Sequence, residues 1–261
     1  MNFFLETLKL IVLLIYYLLE SLVFLVVPGR KKNVSGEIVL ITGAGSGIGR
    51  LLAIKFASLG ATVVLWDINQ EGLNSTVRLA RENGAGRVHS YICDCSKTQD
   101  VYRVADQTYK AFLPAMVAAN HGHLVCIASC AGFLGISHIS DYCASKFAAL
   151  GFAESIDMEM RALRKTGIKT TIVCPYVINT GMFDGVKAKW PRVLPILDPE
   201  YVAERIISAV RQNQEMLFIP RIFYFLYFFR SFLPVKAAVL LLDYFGGMEI
   251  MSTFKGRPKK E

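Results

Sequence analysis

The chain has 261 residues, of which 53% are hydrophobic and only 19% are charged. This composition excludes a disordered or collagen-like chain and provides apolar material for a large core. Lys and Arg number 29 against 21 Asp and Glu, and these basic residues are scattered or lie beside apolar segments. They favour an anionic membrane surface over nucleic acid, which is not an expected partner. The six cysteines fit no zinc spacing, and no metal site is expected.

The first apolar segment extends from Phe3 to Val27, and no small-residue cleavage site follows it. Its length and composition predict an uncleaved N-terminal membrane helix. Residues 30–32 are all basic, whereas only Lys9 lies near the start of the segment. Because positive charge is in excess on the later side, the rest of the chain is expected to face the cytosol.

Between residues 36 and 217, short β-branched runs alternate with helical patterns, which predicts βαβ units and a parallel sheet. The expected strands are residues 38–42, 62–66, 88–93, 123–128 and 168–173. The expected helices are residues 48–59, 70–83, 98–119 with an interruption at Pro114, 142–164 and 199–212. Asp198 and Pro199 are typical of the N-cap and first position of the last of these helices.

A second apolar stretch covers Leu217–Leu242 and includes seven aromatic residues between positions 218 and 229. Two prolines and three basic residues interrupt it, so it is not a clean membrane span. One interpretation is one or two interfacial helices with aromatic and basic residues at headgroup level. The other is a buried C-terminal helix pair.

A glycine-rich loop, residues 42–49 (TGAGSGIG), joins the first expected strand of the α/β region to its first helix. Glycines there permit a tight turn and a close approach of the backbone to a pyrophosphate, which the free N–H groups of the helix N-terminus face. The motif assigns cofactor binding to five residues: Gly43, Ser46, Gly47, Ile48 and Gly49.

Asp67 ends the second expected strand. A carboxylate at this position accepts hydrogen bonds from an adenosine ribose and repels a 2′-phosphate. No Arg or Lys lies in residues 44–49 or directly after Asp67. We therefore expect NAD as the cofactor, with NADP as the alternative. A competing interpretation makes Asp67 a helix-capping residue.

Tyr142 and Lys146 are four residues apart at the start of a predicted helix and therefore share one of its faces. An ammonium near a phenol favours the phenolate, which makes the phenol a better base, and Lys146 is also within reach of a cofactor ribose. Ser129 follows the strand 123–128, where its hydroxyl can orient an alcohol or carbonyl oxygen. Together with the glycine loop, these residues form a specific catalytic pattern.

With these motifs, residues 36–180 resemble a short-chain dehydrogenase/reductase. The apolar leader, residues 40–49, the CDCS run at 93–96, the DYCASK run at 141–146 and the IVCP run at 172–175 resemble the membrane-bound 16C branch. That branch contains the epidermal retinol dehydrogenases and relatives that act on lipophilic alcohols and steroids.

The resemblance implies an α/β fold with a Rossmann-type parallel sheet, which transfers hydride between a retinol- or steroid-like alcohol and NAD or NADP. It implies that Tyr142 is the acid/base, Lys146 its activator and Ser129 the residue that positions the substrate oxygen. Asp94 would lie near the adenine and Thr180 near the nicotinamide.

The resemblance also divides the chain into three regions. Residues 1–32 form a membrane anchor with a basic flank, residues 33–215 form the dinucleotide-binding dehydrogenase domain, and residues 216–261 form an apolar, membrane-associated segment with a basic tail. The expected location is the endoplasmic reticulum or lipid droplet, with the catalytic domain facing the cytosol. A homodimer is compatible with this resemblance.

One departure from the family pattern concerns the interval between Ser96 and His123. The family has a further strand there bearing Asn-Asn-Ala-Gly and a helix bearing a catalytic asparagine, whereas this chain has the 26 residues 97–122 and neither feature. About 45 residues are missing by this comparison, more than one βαβ unit of about 30, and the join falls near Thr108.

The missing strand would be central in a 3-2-1-4-5-6 sheet. Its absence would leave an unpaired edge on strand 38–42. One repair is a single crossover, formed by residues 98–119, that places strand 123–128 beside strand 38–42. This repair would shift Ser129, Tyr142 and Lys146 by about 4.8 Å relative to the glycine loop. The alternative hypothesis is therefore an impaired or inactive membrane-associated relative.

Overall fold

The computed structural model describes residues 3–26, 29–94 and 112–255. It contains two compact units, residues 1–33 and 34–261. The start of the expected helix 98–119 and the join near Thr108 lie outside the described residues.

The first unit contains helix α1, Phe3–Val26, whose described side chains are mostly exposed and apolar. Within the described residues, no helix has both the length and the hydropathy that crossing a membrane requires. The N-terminal membrane helix therefore stays a prediction.

Within its described residues, the second unit has six strands, which form two three-stranded parallel sheets. The first sheet has the order β1-β2-β3, formed by Ile38–Thr42, Thr62–Asp67 and Val88–Ile92. The second has the order β4-β5-β6, formed by Gly122–Ile127, Ile168–Pro175 and Met216–Ile219. Strands β2 and β5 are among the most buried, and their β-branched residues suit a parallel strand that is covered on both faces.

The helices of the second unit lie between and after the strands. They are α2 (Gly47–Ser58), α3 (Gln70–Glu82), α4 (residues 112–119), α5 (Ser140–Ala162), α6 (Pro199–Arg211), α7 (Ile222–Arg230) and α8 (Val235–Tyr244). The expected cap of α6 is confirmed, because Asp198 Oδ1 accepts a hydrogen bond from the Tyr201 N–H at 2.9 Å. Pro114 lies inside α4 and does not interrupt its described residues.

The two sheets share one hydrophobic core on the side where α2 packs against α6. Phe56 of α2 and Ile206 of α6 lie in this core together with Val63 of the first sheet and Leu217 of the second. Lys55 adds surface ion pairs to Glu200 at 2.9 Å and Glu204 at 3.3 Å. This shared packing joins the two sheets without a strand ladder between them.

The described residues do not show the possible repair in which strand 123–128 lies beside strand 38–42. In the described residues, β1 pairs only with β2 and β4 pairs only with β5. The core between α2 and α6 holds the two sheets together through one face, so β4 does not need β1 as a partner. At the amino ends of these strands, His121 Nε2 lies 3.0 Å from Glu37 Oε1.

The C-terminal apolar stretch combines features of both interpretations. It begins with β6, which pairs with β5 inside the fold. Helix α7 buries Phe223 and Leu226 but exposes Phe225 and Phe228 at 56% and 60%. One face of α7 is therefore buried in the fold, and the opposite face is exposed.

Candidate active site

The glycine loop lies between β1 and α2, and two of its glycines have backbone conformations that disfavour other residues, with φ of +68° at Gly43 and +52° at Gly47. A Cβ atom on Gly49 would lie 2.1 Å from the Gly43 carbonyl oxygen, and one on Gly45 would lie 2.9 Å from the Asp67 carboxylate. The first turn of α2 therefore packs tightly against the loop.

The N-terminus of α2 is available to an anion. Ser46 has the extended conformation of an N-cap, but its side chain makes no capping hydrogen bond. The N–H groups of the first turn have no partner within the helix and point out of its end. Together with the positive end of the helix dipole, they form a site suited to a phosphate.

Arg50 and Thr76 hold the loop from its other side. Arg50 donates hydrogen bonds to the Gly45 carbonyl and, at 3.1 Å, to Thr76 Oγ1. The fully buried Thr76 hydroxyl lies 2.9 Å from the carbonyl oxygens of both Ala44 and Gly72. Because Arg50 binds the loop itself, it is not among the residues that line the cavity beside the loop.

Asp67 lies at the carboxyl end of β2, next to the glycine loop. Its Oδ2 accepts a hydrogen bond from the Gly45 N–H at 2.8 Å, and its Oδ1 accepts one from the Asn69 N–H at 2.9 Å. The N-cap of α3 is Asn69, whose side chain accepts from the Gly72 N–H at 3.1 Å. The interpretation of Asp67 as the helix cap is therefore wrong.

Two further residues were expected near the cofactor. Thr180 lies against the loop, because a Cβ atom on Gly47 would be 3.7 Å from its Cβ and Cγ2 atoms. Asp94 follows the end of β3 by two residues but is not among the described residues that line the cavity. The second sheet thus contributes Thr180 to the glycine loop, while Asp94 lies outside the cavity wall.

The Ser129 hydroxyl lies close enough to the Tyr142 phenol to lower the pKa of that phenol. Ser129 Oγ also accepts from the Ala131 N–H at 3.2 Å and donates to the Pro175 carbonyl at 3.4 Å. The Tyr142 ring packs edge-on against Phe183, with 5.5 Å between the ring centroids. Ser129 is therefore fixed just after the carboxyl end of β4, in the wall of a cavity that Tyr142 also lines.

Lys146 lies on the same face of α5 as Tyr142. Its Nζ is 5.6 Å from the centroid of the Tyr142 ring and donates a hydrogen bond to the Ile127 carbonyl at 3.0 Å. Gly132 permits this approach of α5, because a Cβ atom there would lie 2.7 Å from the Lys146 carbonyl oxygen.

The protonation of Tyr142 differs from the sequence-based expectation. Burial raises the pKa of the Tyr142 phenol, and the nearby Ser129 hydroxyl offsets that increase only in part. Burial also lowers the pKa of the Lys146 ammonium. In the free protein, desolvation therefore favours the neutral phenol, whereas a neighbouring ammonium was expected to favour the phenolate.

These residues line one cavity of about 1050 Å³. It is lined by residues of the glycine loop and Asp67, by Ser129, Tyr142 and Lys146, and by apolar residues of α7 and α8. Sequence reasoning missed the walls that Phe183, Leu241 and Phe245 provide. The aromatic and aliphatic periodicity of residues 217–242 was a signal for part of this chamber, because one face of each helix is apolar.

The fold and the site define a class of α/β proteins in which a glycine loop at a helix N-terminus adjoins a Ser-Tyr-Lys set. This chain belongs to the short chain dehydrogenase family, which it matches over residues 37–112 and 107–190. The family is one of oxidoreductases, and the resemblance inferred from the motifs is confirmed.

Several relatives are similar along most of the chain. Epidermal retinol dehydrogenase 2 of Mus musculus is 50% identical over 93% of both chains, and its Homo sapiens counterpart is 48% identical over 94% of both. Short-chain dehydrogenase/reductase family 16C member 6 of Bos taurus is 46% identical over 99% of this chain and 96% of its own. The resemblance to the 16C branch is thereby confirmed.

Solved structures share the fold at lower identity. A short-chain dehydrogenase/reductase from Burkholderia phymatum, in complex with NAD, has a TM-score of 0.61 and 23% identity and covers 74% of this chain and 92% of its own. An actinorhodin polyketide ketoreductase variant with NADPH has a TM-score of 0.56 and 22% identity and covers 70% and 95%.

One of these alignments is longer than the chain itself. The alignment with the bovine relative extends over 303 positions, which exceeds the 261 residues of this chain by 42. The two stretches that match the family meet at residues 107–112. The alignment therefore contains gaps, and the join expected near Thr108 stays a prediction.

Proposed function

We propose that this protein is an NAD(P)-dependent oxidoreductase that interconverts a lipophilic alcohol, retinol- or steroid-like, and its carbonyl form. The observation that carries the proposal is a single cavity whose wall contains the glycine loop, the Ser129 and Tyr142 side chains and many apolar residues. A polar reacting group between an anion-binding loop and hydrocarbon walls suits a substrate with one polar end.

The residues around the glycine loop fit a dinucleotide. Cβ atoms on Gly45 or Gly49 would collide with Asp67 or the Gly43 carbonyl, so the loop keeps the close packing that brings the α2 N-terminus to the cavity. Asp67 lines the same cavity, and its negative charge favours NAD over NADP. Solved proteins of this fold bind NAD in one case and NADPH in another.

The chain's own residues would position the alcohol and move its proton. Ser129 holds the substrate oxygen by a hydrogen bond, and Tyr142 takes the hydroxyl proton in oxidation or returns it in reduction. Lys146 lies beside the Tyr142 ring and near the expected ribose position. When bound, the nicotinamide cofactor supplies the hydride acceptor or donor at the alcohol carbon.

The family's Asn-Asn-Ala-Gly strand and catalytic asparagine are, by our sequence interpretation, absent from this chain. Support for retained activity comes from the shared core of α2 and α6 and from Thr180, which meets Gly47 from the second sheet. These contacts bring both halves of the site to one cavity without the central strand. We expect turnover below that of complete relatives, because a misplacement of about 1 Å can reduce a rate about a hundredfold.

Membrane association of the protein is part of the same proposal. Apolar side chains are exposed along α1 and, separately, on α7 and the following turn, where Phe228 and Phe232 are 60% and 70% exposed. Such surfaces suit an anchor and an interfacial patch. The proposed location is the endoplasmic reticulum or a lipid droplet, with the catalytic unit on the cytosolic side. A homodimer is compatible with this arrangement. Alkaline carbonate extraction of the full chain from cell membranes tests the anchor.

The decisive experiment uses the purified full chain in detergent micelles. Calorimetry with NAD and with NADP measures cofactor binding, and absorbance at 340 nm measures oxidation of all-trans-retinol and estradiol. We expect NAD binding and slow oxidation that the Tyr142→Phe variant loses. Cofactor binding without turnover of either alcohol would support the inactive relative, and absence of binding would overturn the proposal.

A further inference from the structure

A basic side chain lies in the apolar part of the cavity wall. Among the described lining residues from position 221 onward, Arg230 is the only charged one, and the others are apolar. Arg230 is the last residue of α7 and is exposed. A charged group at this point is unexpected for a chamber that takes only hydrocarbon.

A series of contacts leads from the reacting hydroxyls to the helix that carries Arg230. Ser129 Oγ bonds to the Pro175 carbonyl, and the next residue, Tyr176, has its ring centroid 5.6 Å from that of Phe223. Phe223, Leu226 and Arg230 share the face of α7 that lines the cavity. Arg230 follows Phe223 by seven positions, which corresponds to about 10 Å along the axis of α7.

The contacts of Arg230 leave its hydrogen-bond donors available. Its guanidinium carbon lies 5.7 Å from the centroid of the Phe147 ring, and a cation–π contact of this kind holds the group against the wall. In the part of the chain that the structure describes, no ion pair joins Arg230 to a carboxylate. A planar guanidinium that stacks on a ring still presents its N–H groups at its edge, where a carboxylate can accept two of them.

We propose that Arg230 binds the carboxylate of an amphiphilic substrate whose hydroxyl reacts at Tyr142, so that the substrate class includes long-chain hydroxy acids. This inference rests on the proposed function for the hydroxyl end of the substrate and on Arg230 for the other end. The apolar walls between them accommodate the hydrocarbon chain, and the bidentate pair fixes which end reaches the reacting hydroxyls.

Matched substrates and variants test the proposal. For the wild type, the Arg230→Gln variant and the Arg230→Lys variant, kcat/KM is measured with 12-hydroxydodecanoic acid and with 1-dodecanol. We expect the preference for the acid over the alcohol to fall about tenfold in Arg230→Gln, mainly through KM, and to recover in part in Arg230→Lys. Arg221→Gln is the matched control, because Arg221 is exposed at the start of α7 and does not line the cavity. An equal preference in the wild type and Arg230→Gln would overturn the proposal.

A binding measurement separates this inference from the proposed function. Dodecanoate, which has no hydroxyl to react, is titrated into each variant while displacement of a fluorescent fatty acid is followed. We expect about tenfold weaker binding in Arg230→Gln and no change in Arg221→Gln. Binding that depends on Arg230 without turnover of any alcohol would reject the proposed function but support the anion site. If an alcohol is turned over but dodecanoate binding does not depend on Arg230, the proposed function would be supported and the anion site rejected.

Discussion

Lys146 donates a hydrogen bond from Nζ to the backbone carbonyl of Ile127 at 3.0 Å, at the edge of β4 that has no strand partner among the described residues. In a continuous sheet, a neighbouring strand supplies N–H donors to such an edge. In this protein the Lys146 ammonium supplies one of them, which gives a partner to a carbonyl that faces no strand among the described residues. Lys146 thus stabilises the edge of β4 as well as lying beside Tyr142.

The structural role of Lys146 can be measured by substitution. Lys146→Met keeps the aliphatic stem but removes the donor, so we expect the free energy of unfolding to decrease by about 1 kcal/mol, the contribution of a partly exposed charged hydrogen bond. Urea denaturation measures the change. Lys187→Met, at an exposed position, is the control. Equal stability of the two variants would show that the bond to Ile127 contributes nothing.

The contribution of the Tyr142 hydroxyl can be measured separately from that of its ring. Tyr142→Phe preserves the edge-on contact with Phe183, so we expect the melting temperature to change by less than about 4 °C while turnover falls at least a thousandfold. Steady-state kinetics and differential scanning calorimetry measure the two effects. Tyr201→Phe, on the exposed start of α6, should leave both unchanged. Turnover within tenfold of the wild type would exclude Tyr142 as the proton carrier.

Burial of Tyr142 predicts a pH dependence. Because burial raises the pKa of this phenol above its usual value near 10, the neutral form persists to higher pH. Oxidation needs the deprotonated form in the free enzyme, so kcat/KM should rise about tenfold per pH unit between pH 7 and 9. Reduction uses the phenol itself and should be nearly constant over that range. A plateau of the oxidation profile below pH 8 would contradict this assignment.

Local chemistry explains which features were predictable from the sequence. The cap of α6 by Asp198 and the glycine loop depend on residues close in the chain, and both are where the pattern indicates. The separation of β1 from β4 depends on α2 packing against α6, about 150 residues apart in sequence, and no local pattern encodes it. The link from Arg50 to Thr76 joins residues 26 positions apart and is also not encoded by a local pattern.

The apolar chamber illustrates the same limit. The hydrophobic character of residues 217–242 is visible in the sequence, but it does not distinguish lipid contact from a cavity wall. In the structure, Leu226 and Leu241 line the cavity, while Phe225 and Phe228 are exposed. Tertiary packing, rather than hydropathy, determines which face of α7 lines the cavity and which face is exposed.

The close approach of α2 to the glycine loop predicts the effect of a single methyl group. In Gly49→Ala, the new Cβ would lie 2.1 Å from the Gly43 carbonyl oxygen, so the loop must move. We expect a loss of about 1–3 kcal/mol in the free energy of unfolding and at least tenfold weaker NAD binding. Gly86→Ala, which has open space around its Cβ position, is the control. Wild-type affinity for NAD in Gly49→Ala would show that the dinucleotide binds elsewhere.

The carboxylate of Asp67 predicts the cofactor preference. Asp67→Asn removes the negative charge beside the expected ribose, so repulsion of a 2′-phosphate is lost, while one of the hydrogen bonds from Gly45 or Asn69 is weakened because the amide has a single acceptor oxygen. We expect NAD to bind less tightly and the NADP-to-NAD affinity ratio to rise at least tenfold, as measured by calorimetry. Asp184→Asn, at an exposed position outside the cavity, controls for the general loss of a negative charge. If the ratio stayed constant in Asp67→Asn, the ribose would have to lie away from β2, and the preference for NAD would need another origin.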